Sequence, residues 1–336
     1  MKGLVIWAHS KCRSTFGLYR ALRDLAGVPV RLAAREGVRD YRQAQGQCED
    51  EFADMECPVV GEDWPRIEKI LNETQGWTHL VAAYQESAVY RKIVRVAKRQ
   101  GGVVGVISEQ PWNAHFGLKA MAWDVYVRTV LRWRVRKAVA AAGFLINYSG
   151  GKDALARTIG WPREKIVPFG YYPQPLGTAE PMERPGGQIR VLATATKGRR
   201  GRGEALIRTA VGKMGDHVEL VMPAFVDEDE LKRLYAACDV FIAAGHDEPW
   251  GIRVNDALNF AKPVLVSSRM GARKLVDETG AGLVFESGSA SDLADKLEAL
   301  MSDLPRYAEK ARAASALISP EAKARDLLSV LRSGEA

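Results

Sequence analysis

Short apolar runs alternate along this chain with longer stretches in which apolar residues recur every three or four positions. The short runs are bounded by glycine, serine or charged residues and predict buried strands at 3–9, 28–33, 79–84, 103–108, 144–149, 166–167, 189–195, 218–222 and 240–244. The longer stretches predict helices at 13–26, 64–74, 88–98, 118–142, 151–159, 204–211, 229–237, 290–302 and 307–331. Strands that alternate with helices in this way form parallel sheets covered on both faces.

The strand–helix series is interrupted once, at residues 173–188, where four prolines and three glycines lie among polar residues. Such a composition is typical of a linker. We therefore predict an α/β protein of two doubly wound, Rossmann-like domains that face a cleft. The first domain spans 1–172, the linker 173–188 and the second domain 189–315, with a terminal helical segment at 316–336.

Composition narrows the class of protein. Apolar residues make up 47% of the chain and charged residues 26%, as in soluble globular proteins. No window approaches the roughly 20 apolar residues of a membrane span, and the first residues become polar too early for a signal peptide. Four scattered cysteines without metal-ligand spacing fit a reducing cytoplasm. The net charge of +7 indicates an anionic partner, either a nucleotide diphosphate, an anionic membrane surface or nucleic acid.

The most informative segment spans residues 239–286. An apolar strand leads into His246-Asp247-Glu248-Pro249-Trp250-Gly251, and helical spacing follows it, with Asp256 in the first turns. A loop with acids and a glycine between a strand end and a helix start is where parallel sheets bind polar, usually phosphorylated, ligands.

This segment resembles the signature of the retaining GT-B glycosyltransferases of glycosyltransferase family 4. That signature has two Glu eight positions apart and an aromatic-Gly pair after the first; here these are Glu248, Trp250-Gly251 and Asp256, an acid one methylene shorter. Further similarities lie downstream: Lys262-Pro263-Val264, the turn 268–272 and Gly282-Leu283-Val284. The resemblance covers the C-terminal half well and the N-terminal half in outline.

The resemblance implies a nucleotide-diphosphate sugar as donor, transfer with retention of configuration, and neither a metal nor a cofactor. Glu248 would contact the donor sugar and Asp256 the ribose hydroxyls. Backbone N–H groups of Trp250, Gly251 and Ile252 would meet sugar or phosphate. No nucleophile is identifiable, and the terminal helix is expected to pack back toward the first domain.

A basic, glycine-rich stretch follows the strand 189–195, at residues 196–203. Glycines permit close backbone approach, and clustered cations neutralise a diphosphate. In the resembling family an Arg after the strand and a Lys at the start of the helix hold the diphosphate. When the helix starts are aligned, this chain has Lys197 in place of the Arg and Arg202 in place of the Lys. A mobile basic loop without a ligand is the alternative.

Candidate residues in the first half also follow strand ends. Glu109 comes directly after the strand 103–108, where similar enzymes carry a polar residue facing the gap between domains, and the resemblance makes it a candidate catalytic residue together with Glu248. His115 lies six residues further on and is a candidate acceptor or cleft residue. His9 and Ser10 stand in the first strand–helix turn and are candidate acceptor or cleft residues. The alternative is structural: Glu109 caps the strand, His115 is a surface residue, and Ser14 caps a helix in an ordinary turn.

The predicted helix 118–142 combines aromatic side chains with Arg128, Arg132 and Arg136, which recur every fourth residue on one face. Three interpretations stay open: a solvated helix over the core, contact with an anionic membrane surface, or nucleic-acid binding. The absence of a recognisable nucleic-acid motif argues against the last. Acids at 227–230 resemble a metal-binding pair but fit the first turn of a helix better.

The function predicted from the sequence is a glycosyltransferase that moves a sugar from a nucleotide sugar to a glycan or lipid-linked acceptor. Its setting would be the synthesis of a cell-surface polysaccharide, such as a lipopolysaccharide, or of a glycolipid, in the cytoplasm or on the inner membrane face. The alternatives are a nucleotide-sugar epimerase of the same architecture and a non-catalytic nucleotide-sugar-binding protein. An epimerase needs no acceptor groove, whereas the acid pair and the basic loop favour catalysis over binding alone.

Overall fold

The structure is a computed structural model of the chain. It describes residues 1–43, 47–109, 118–151, 153–177, 187–193, 202–223, 226–245 and 248–333. The chain forms two compact units, one of Met1–Tyr171 together with the residues from Lys323 onward, the other of Tyr172–Ala322. The first passage between units lies just before the predicted linker, and the second lies within the predicted terminal segment 316–336.

The first unit is built on a parallel sheet of six strands in the order β2-β1-β3-β4-β5-β6. The strands are β1 (Leu4–Ser10), β2 (Val30–Glu36), β3 (Thr78–Val81), β4 (Val103–Ser108), β5 (Phe144–Asn147) and β6 (Ile166–Pro168). β1, β3 and β5 are almost entirely buried, as runs of apolar residues predict for strands covered on both faces. The chain moves from β1 to β2 on one side and then to β3 on the other, so the strand order reverses at β1.

Helices connect the strands of the first unit. They are α1 (Arg13–Leu25), α2 (Asp40–Gln43), α3 (Trp64–Glu73), α4 (Ala88–Arg99), α5 (Leu118–Tyr126), α6 (Arg132–Ala141) and α7 (Asp153–Thr158). The suggestion that Ser14 caps α1 is wrong. The N-cap residue is Cys12, and its side chain makes no capping hydrogen bond.

The predicted single helix 118–142 contains a π-helical turn, Val127–Leu131, between α5 and α6. A π turn inserts an extra residue, so it rotates the residues after it relative to a regular helix. Val127, Leu131 and Val135 nevertheless stay on the buried face. The periodicity predicted the helix and its buried side, but not this local change of pitch.

The second unit is built on a parallel sheet in the order β11-β10-β9-β7-β8. Its strands are β7 (Ile189–Ala193), β8 (Val218–Val221), β9 (Val240–Ala243), β10 (Val264–Ser267) and β11 (Gly282–Phe285). The chain leaves β7 for β8 on one side and returns to β9 on the other. The strand order of this sheet therefore reverses at β7.

Seven helices are described from residue 202 onward. They are α8 (Arg202–Gly212), α9 (Glu228–Ala237), α10 (Arg253–Asn259), α11 (Arg273–Thr279), α12 (Ala290–Met301), α13 (Leu304–Leu317) and α14 (Pro320–Ser333). The predicted continuous helix 307–331 is wrong, because α13 ends at Leu317 and α14 begins at Pro320. Proline removes a backbone donor and disfavours helical angles in the residue before it, so it starts a new helix here.

Two polar groups serve the fold. The acidic run 227–230 does begin a helix, because the Asp227 carboxylate accepts a hydrogen bond from the Glu230 N–H at 2.8 Å. His79 is buried in the first unit, where its Nδ1 accepts from Trp7 Nε1 at 3.2 Å. Burial lowers the pKa of His79 to about 4, so the imidazole is neutral and serves the core.

Candidate functional site

In the second unit, two strand ends flank the point where strand order reverses, which is where doubly wound sheets bind ligands. β7 ends at Ala193 and β9 at Ala243. The first turn of α8 lies close to the end of β9, since a methyl group added at Gly203 would stand 2.6 Å from the Ala244 carbonyl oxygen. Glycine therefore permits the N-terminus of α8, with its unpaired N–H groups, to reach this edge of the sheet.

The turn that carries the sequence signature is held by backbone hydrogen bonds. The Gly271 N–H donates to the Glu248 carbonyl at 3.2 Å, and the Ala272 N–H donates to the Trp250 carbonyl at 3.0 Å. Two segments that carried the family resemblance, 248–252 and 268–272, thus support one another. Gly251 has a φ of 101°, a conformation that side chains rarely adopt.

Trp250 is almost completely buried and supports the turn from inside the unit. Its indole Nε1 donates to Asn255 Oδ1 at 2.8 Å, and its ring lies 6.0 Å from that of Tyr172, edge to face. The aromatic residue of the signature therefore anchors the turn to α10 through its side chain. That the backbone N–H groups of Trp250, Gly251 and Ile252 contact a ligand stays a prediction.

Asp256 lies on α10 and is only 4% exposed. Its Oδ2 is 3.3 Å from a guanidinium nitrogen of Arg253, whose side chain is 44% exposed. Burial raises the pKa of Asp256 to about 6, against 3.8 for the free side chain, and Arg253 offsets only part of that rise. A desolvated carboxylate with a raised pKa, at a ligand-binding edge, is typical of functional sites.

The other predicted donor-site residues are placed only in part. Glu248 is half-buried, and its stem lies beside Gly245 and Gly251. Arg202 is the first residue of α8. Lys197 and the acceptor candidate His115 lie outside the described residues.

In the first unit, a pocket of about 640 Å³ lies at the carboxyl ends of β1, β3, β4 and β5, next to the reversal of strand order. Three of the predicted residues, His9, Ser10 and Glu109, line it together. Volumes of about 300–1,000 Å³ are usual for small-molecule sites. Sequence reasoning missed most of the lining: Tyr19, Arg39, Arg42, Tyr84, Gln85, Glu86, Ser108, Trp123, Tyr126, Arg134, Tyr148 and Tyr171.

Glu109 is held by a tyrosine at the end of the first unit. The Tyr171 hydroxyl donates to Glu109 Oε1 over 2.5 Å. Burial raises the pKa of Tyr171 well above its ordinary value, and the neighbouring carboxylate adds to the rise, so the phenol keeps its proton. Glu109 is thus positioned as a hydrogen-bond acceptor in the pocket.

His9, at the end of β1, belongs to a charged network. A guanidinium nitrogen of Arg39 lies 2.6 Å from its Nε2, and the carboxylates of Glu86 and Glu36 each lie 3.8 Å from a ring nitrogen. Burial lowers the pKa of His9; Glu86 opposes this effect and Arg39 adds to it. With Nε2 accepting from Arg39, the ring is neutral and can donate from Nδ1.

The loop that follows β3 is strained where it lines the pocket. Ala83 has a φ of 55°, in the left-handed region, which costs an alanine about 1–2 kcal/mol. The Arg91 guanidinium holds this loop by donating to the carbonyls of Tyr84 and Gln85, each at 3.0 Å. Strain that the surroundings enforce is concentrated in binding and catalytic sites.

Comparison with known proteins supports the fold of both units and the family resemblance of the second. Residues 201–316 match the sequence model of the family described as glycosyl transferases group 1. A glycosyltransferase from Rickettsia africae ESF-5 shares the fold with a TM-score of 0.64 and 12% identity, covering 99% of this chain and 98% of that one. The resemblance to GT-B glycosyltransferases is confirmed.

Two further solved structures show the same fold over the whole chain. HepE from Anabaena in complex with UDP has a TM-score of 0.62 and 14% identity, over 99% of this chain and 100% of that one. A sucrose-phosphate synthase from Thermosynechococcus elongatus has a TM-score of 0.61 and 16% identity, over 99% of each chain. No curated protein matches the sequence. The two doubly wound units are therefore those of the GT-B fold.

No helix in the described ranges is both long and apolar enough to cross a bilayer. In the same part of the chain, no cluster of three or more His, Cys, Asp or Glu side chains has the arrangement of a metal site.

Proposed function

We propose that this protein is a glycosyltransferase that uses a nucleotide-diphosphate sugar as donor. The observation that carries the proposal is the turn 248–252. It lies within the segment that matches the glycosyltransferase family, and its backbone is fixed against 268–272 at the ligand-binding edge of the second sheet. A structural relative, HepE, has been solved with UDP and glucose, which supports a nucleotide sugar as ligand.

The proposed roles follow the chemistry of each group. Asp256 accepts hydrogen bonds from the ribose hydroxyls, and Glu248 lies against the donor sugar. Lys197 and Arg202 neutralise the diphosphate as negative charge develops on it, so the reaction runs without a metal ion. Transfer proceeds with retention of configuration. Glu109 acts as a catalytic residue together with Glu248, and His9, Ser10 and His115 face the acceptor.

The test is steady-state kinetics after the donor has been identified by thermal-shift screening of nucleotide sugars. A donor present at about 100 times its Kd stabilises the protein by about 2.7 kcal/mol. We expect Glu248→Gln to lower kcat and Asp256→Ala to raise the KM for the donor. Wild-type kinetics for either variant would remove the role assigned to that residue. EDTA should leave the rate unchanged, and a loss of activity that Mg²⁺ restores would contradict the metal-free mechanism.

A second activity, epimerisation of a nucleotide sugar, is favoured by one specific observation. A putative UDP-N-acetylglucosamine 2-epimerase from Listeria monocytogenes shares the fold, with a TM-score of 0.60 and 13% identity, over 99% of this chain and 96% of that one. The two activities differ in what they need. A changed sugar formed from the donor alone would establish the epimerase, whereas transfer requires an acceptor.

The acceptor is proposed to be lipid-linked, or a glycan assembled at the membrane, because of one exposed apolar surface. Five of the nine large apolar side chains that are exposed among the described residues lie between 118 and 133. They are Leu118 (83% exposed), Met121 (65%), Val125 (62%), Val130 (43%) and Trp133 (62%). The same helical segment buries its opposite face in the core.

Positive charge borders this apolar surface. Arg128, Arg132 and Arg136 are exposed, and none has a carboxylate partner among the described residues. Arg136 lies over the ring of Trp133, 5.2 Å from its centroid. Exposed apolar and aromatic side chains beside cations suit the headgroup region of an anionic membrane. A role in building a cell-surface polysaccharide or glycolipid follows from such a location.

Vesicle flotation tests the membrane contact. We expect wild-type protein to bind vesicles that contain an anionic lipid, and binding to weaken when Val125 and Trp133 are both changed to serine. Leu317→Ser is the matched control, because Leu317 is 55% exposed but lies on α13. Equal flotation of all three proteins, or dependence on Leu317 alone, would argue against this surface.

A further inference from the structure

We infer that the pocket of the first unit binds an acceptor that carries an anionic group, a phosphate or a carboxylate. Arg134 is the residue that would pair with this group. The inference rests on the proposed function and adds the chemical class of the acceptor. It depends on three neighbouring arginines beside the pocket, which no carboxylate in the described part of the chain pairs directly, although Glu62 offsets part of their effect on Arg91.

The three arginines lie on α6 and α4. Arg134 projects from α6 into the pocket, and its guanidinium lies 3.3 Å from the Tyr126 hydroxyl. Arg91 and Arg95 on α4 lie behind it, and both donate to backbone carbonyls. None of the three has a carboxylate within ion-pair distance among the residues that the structure describes.

These cations are close enough to affect one another. Burial lowers the pKa of Arg91, and the guanidinium groups of Arg134 and Arg95 lower it further. Arg134 is exposed, whereas Arg91 is half-buried, so the repulsion is least screened at Arg91. A bound anion would offset this repulsion, because a guanidinium binds phosphate or carboxylate through paired, charge-assisted hydrogen bonds.

The acids of the pocket do not serve as that counter-ion. Glu109 is bound by the Tyr171 hydroxyl, and Glu86 lies near His9. Arg39 is already paired with Glu36 at 2.7 Å. Arg42 also lines the pocket and is engaged in an interaction of its own. Arg134 is therefore the lining arginine that we assign to the anionic group of the ligand.

The rest of the lining suits a sugar. The rings of Trp123 and Tyr126 lie 5.4 Å apart at the same wall as Arg134. Aromatic faces pack against the C–H groups of a pyranose, and the hydroxyls of Ser10 and Ser108 can exchange hydrogen bonds with its hydroxyls. A sugar phosphate, a uronic acid and a phospholipid-linked sugar each combine a sugar ring with an anionic group. The inference therefore names the anionic group that they share.

Isothermal titration of the full chain distinguishes these sources. The soluble probes are glucose 6-phosphate, glucuronate and neutral glucose, and the membrane probe is phosphatidylcholine vesicles with and without polyprenyl phosphate. We expect an anionic probe to bind at least tenfold more tightly than its neutral counterpart, since hydrogen bonds between charged groups are worth about one to two orders of magnitude in affinity. Binding of the soluble anions indicates a free acceptor. Binding of the charged vesicles alone indicates a lipid phosphate in the pocket if Arg134→Gln weakens it, and contact through the exposed surface 118–136 if Arg134→Gln does not.

Matched variants assign the preference to Arg134. Arg134→Gln should reduce the affinity for the anionic probe about tenfold or more, and Arg134→Lys should restore part of it. Arg99→Gln removes the same charge from an exposed position on α4 and should leave the affinity unchanged. Equal binding of charged and neutral probes, or equal losses in the two glutamine variants, would overturn the inference.

UDP binding, measured on the same samples, separates this inference from the proposed function. The donor is assigned to the second unit, so Arg134→Gln should bind UDP as wild type does. If UDP binds but no anionic probe is preferred, the acceptor class is wrong and the glycosyltransferase proposal stands. If no nucleotide or nucleotide sugar binds at all, the proposed function itself fails, whatever the pocket prefers.

Discussion

Replacing Asp256 with asparagine should make the protein more stable and, at the same time, a poorer binder of nucleotides. The carboxylate is 4% exposed, and its burial raises its pKa from 3.8 to about 6. At pH 7.5 the group is ionised in both the folded and the unfolded chain, but ionisation is less favourable in the folded one. At about 1.4 kcal/mol per pKa unit, the buried charge costs about 3 kcal/mol of stability.

The sign of the pH dependence follows from proton binding. Between pH 3.8 and about 6 the folded state keeps the proton that the unfolded state has lost, so stability falls as pH rises through this range and is level above it. Asparagine carries no charge. The gain from Asp256→Asn should therefore be about 3 kcal/mol at pH 7.5 and shrink to about 1 kcal/mol at pH 4.5.

Thermal unfolding at the two pH values measures this gain. For a unit of this size about 3 kcal/mol corresponds to roughly 6–12 °C. Asp295→Asn is the control, because Asp295 is an exposed acid on α12 in the same unit. Titration with UDP should show weaker binding for Asp256→Asn only. A variant no more stable than wild type at pH 7.5, or a gain that is larger at pH 4.5, would refute the argument from desolvation.

Three further predictions concern other parts of the two units. Stability of the first unit should fall by about 3 kcal/mol as pH drops from 6.5 to about 4, because the buried His79 stays neutral while the unfolded chain binds a proton. Amide hydrogen exchange measures this loss of stability, and a stability that does not change with pH in this range would contradict the burial of His79. Gly203→Ala should destabilise the second unit by about 2 kcal/mol and weaken UDP binding, because the new methyl group would stand 2.6 Å from a backbone oxygen. Gly212→Ala on the same helix is the control and should do neither, because nothing lies within 4 Å of the added methyl group. Tyr171→Phe should lower kcat with little change in unfolding temperature; an unchanged kcat would show that the hydrogen bond to Glu109 positions nothing that matters.

Much of the fold was predictable because it follows from the alternation of apolar runs and helical periodicity. The parallel strands, the two sheets and the helix that begins at the acidic run 227–230 all depend on local patterns. The break at Ser319-Pro320 was also encoded locally, in the residue that proline restricts. The π turn was not, because periodicity alone does not register one extra residue within a long helix.

The candidate sites were predictable to a smaller degree, for a physical reason. The donor-side turn is contiguous in sequence, so its acids and glycine could be recognised together. The pocket of the first unit is assembled from strand ends and helices that are distant along the chain. His9, Ser10 and Glu109 were found because strand ends carry them, whereas Arg134 lies among other arginines of a basic helix, and only the three-dimensional structure separates it from them.

Tyr171 and Tyr172 are consecutive residues, yet each contacts a different candidate site. The hydroxyl of Tyr171 holds Glu109 in the first unit, and the ring of Tyr172 packs on Trp250 in the second. Their Cα atoms stay about 3.8 Å apart whatever the units do. The predicted linker 173–188, which is rich in glycine and proline, begins after both residues and does not separate them. Because these two residues are adjacent in the chain, a substitution at either position should be read as a perturbation of both sites.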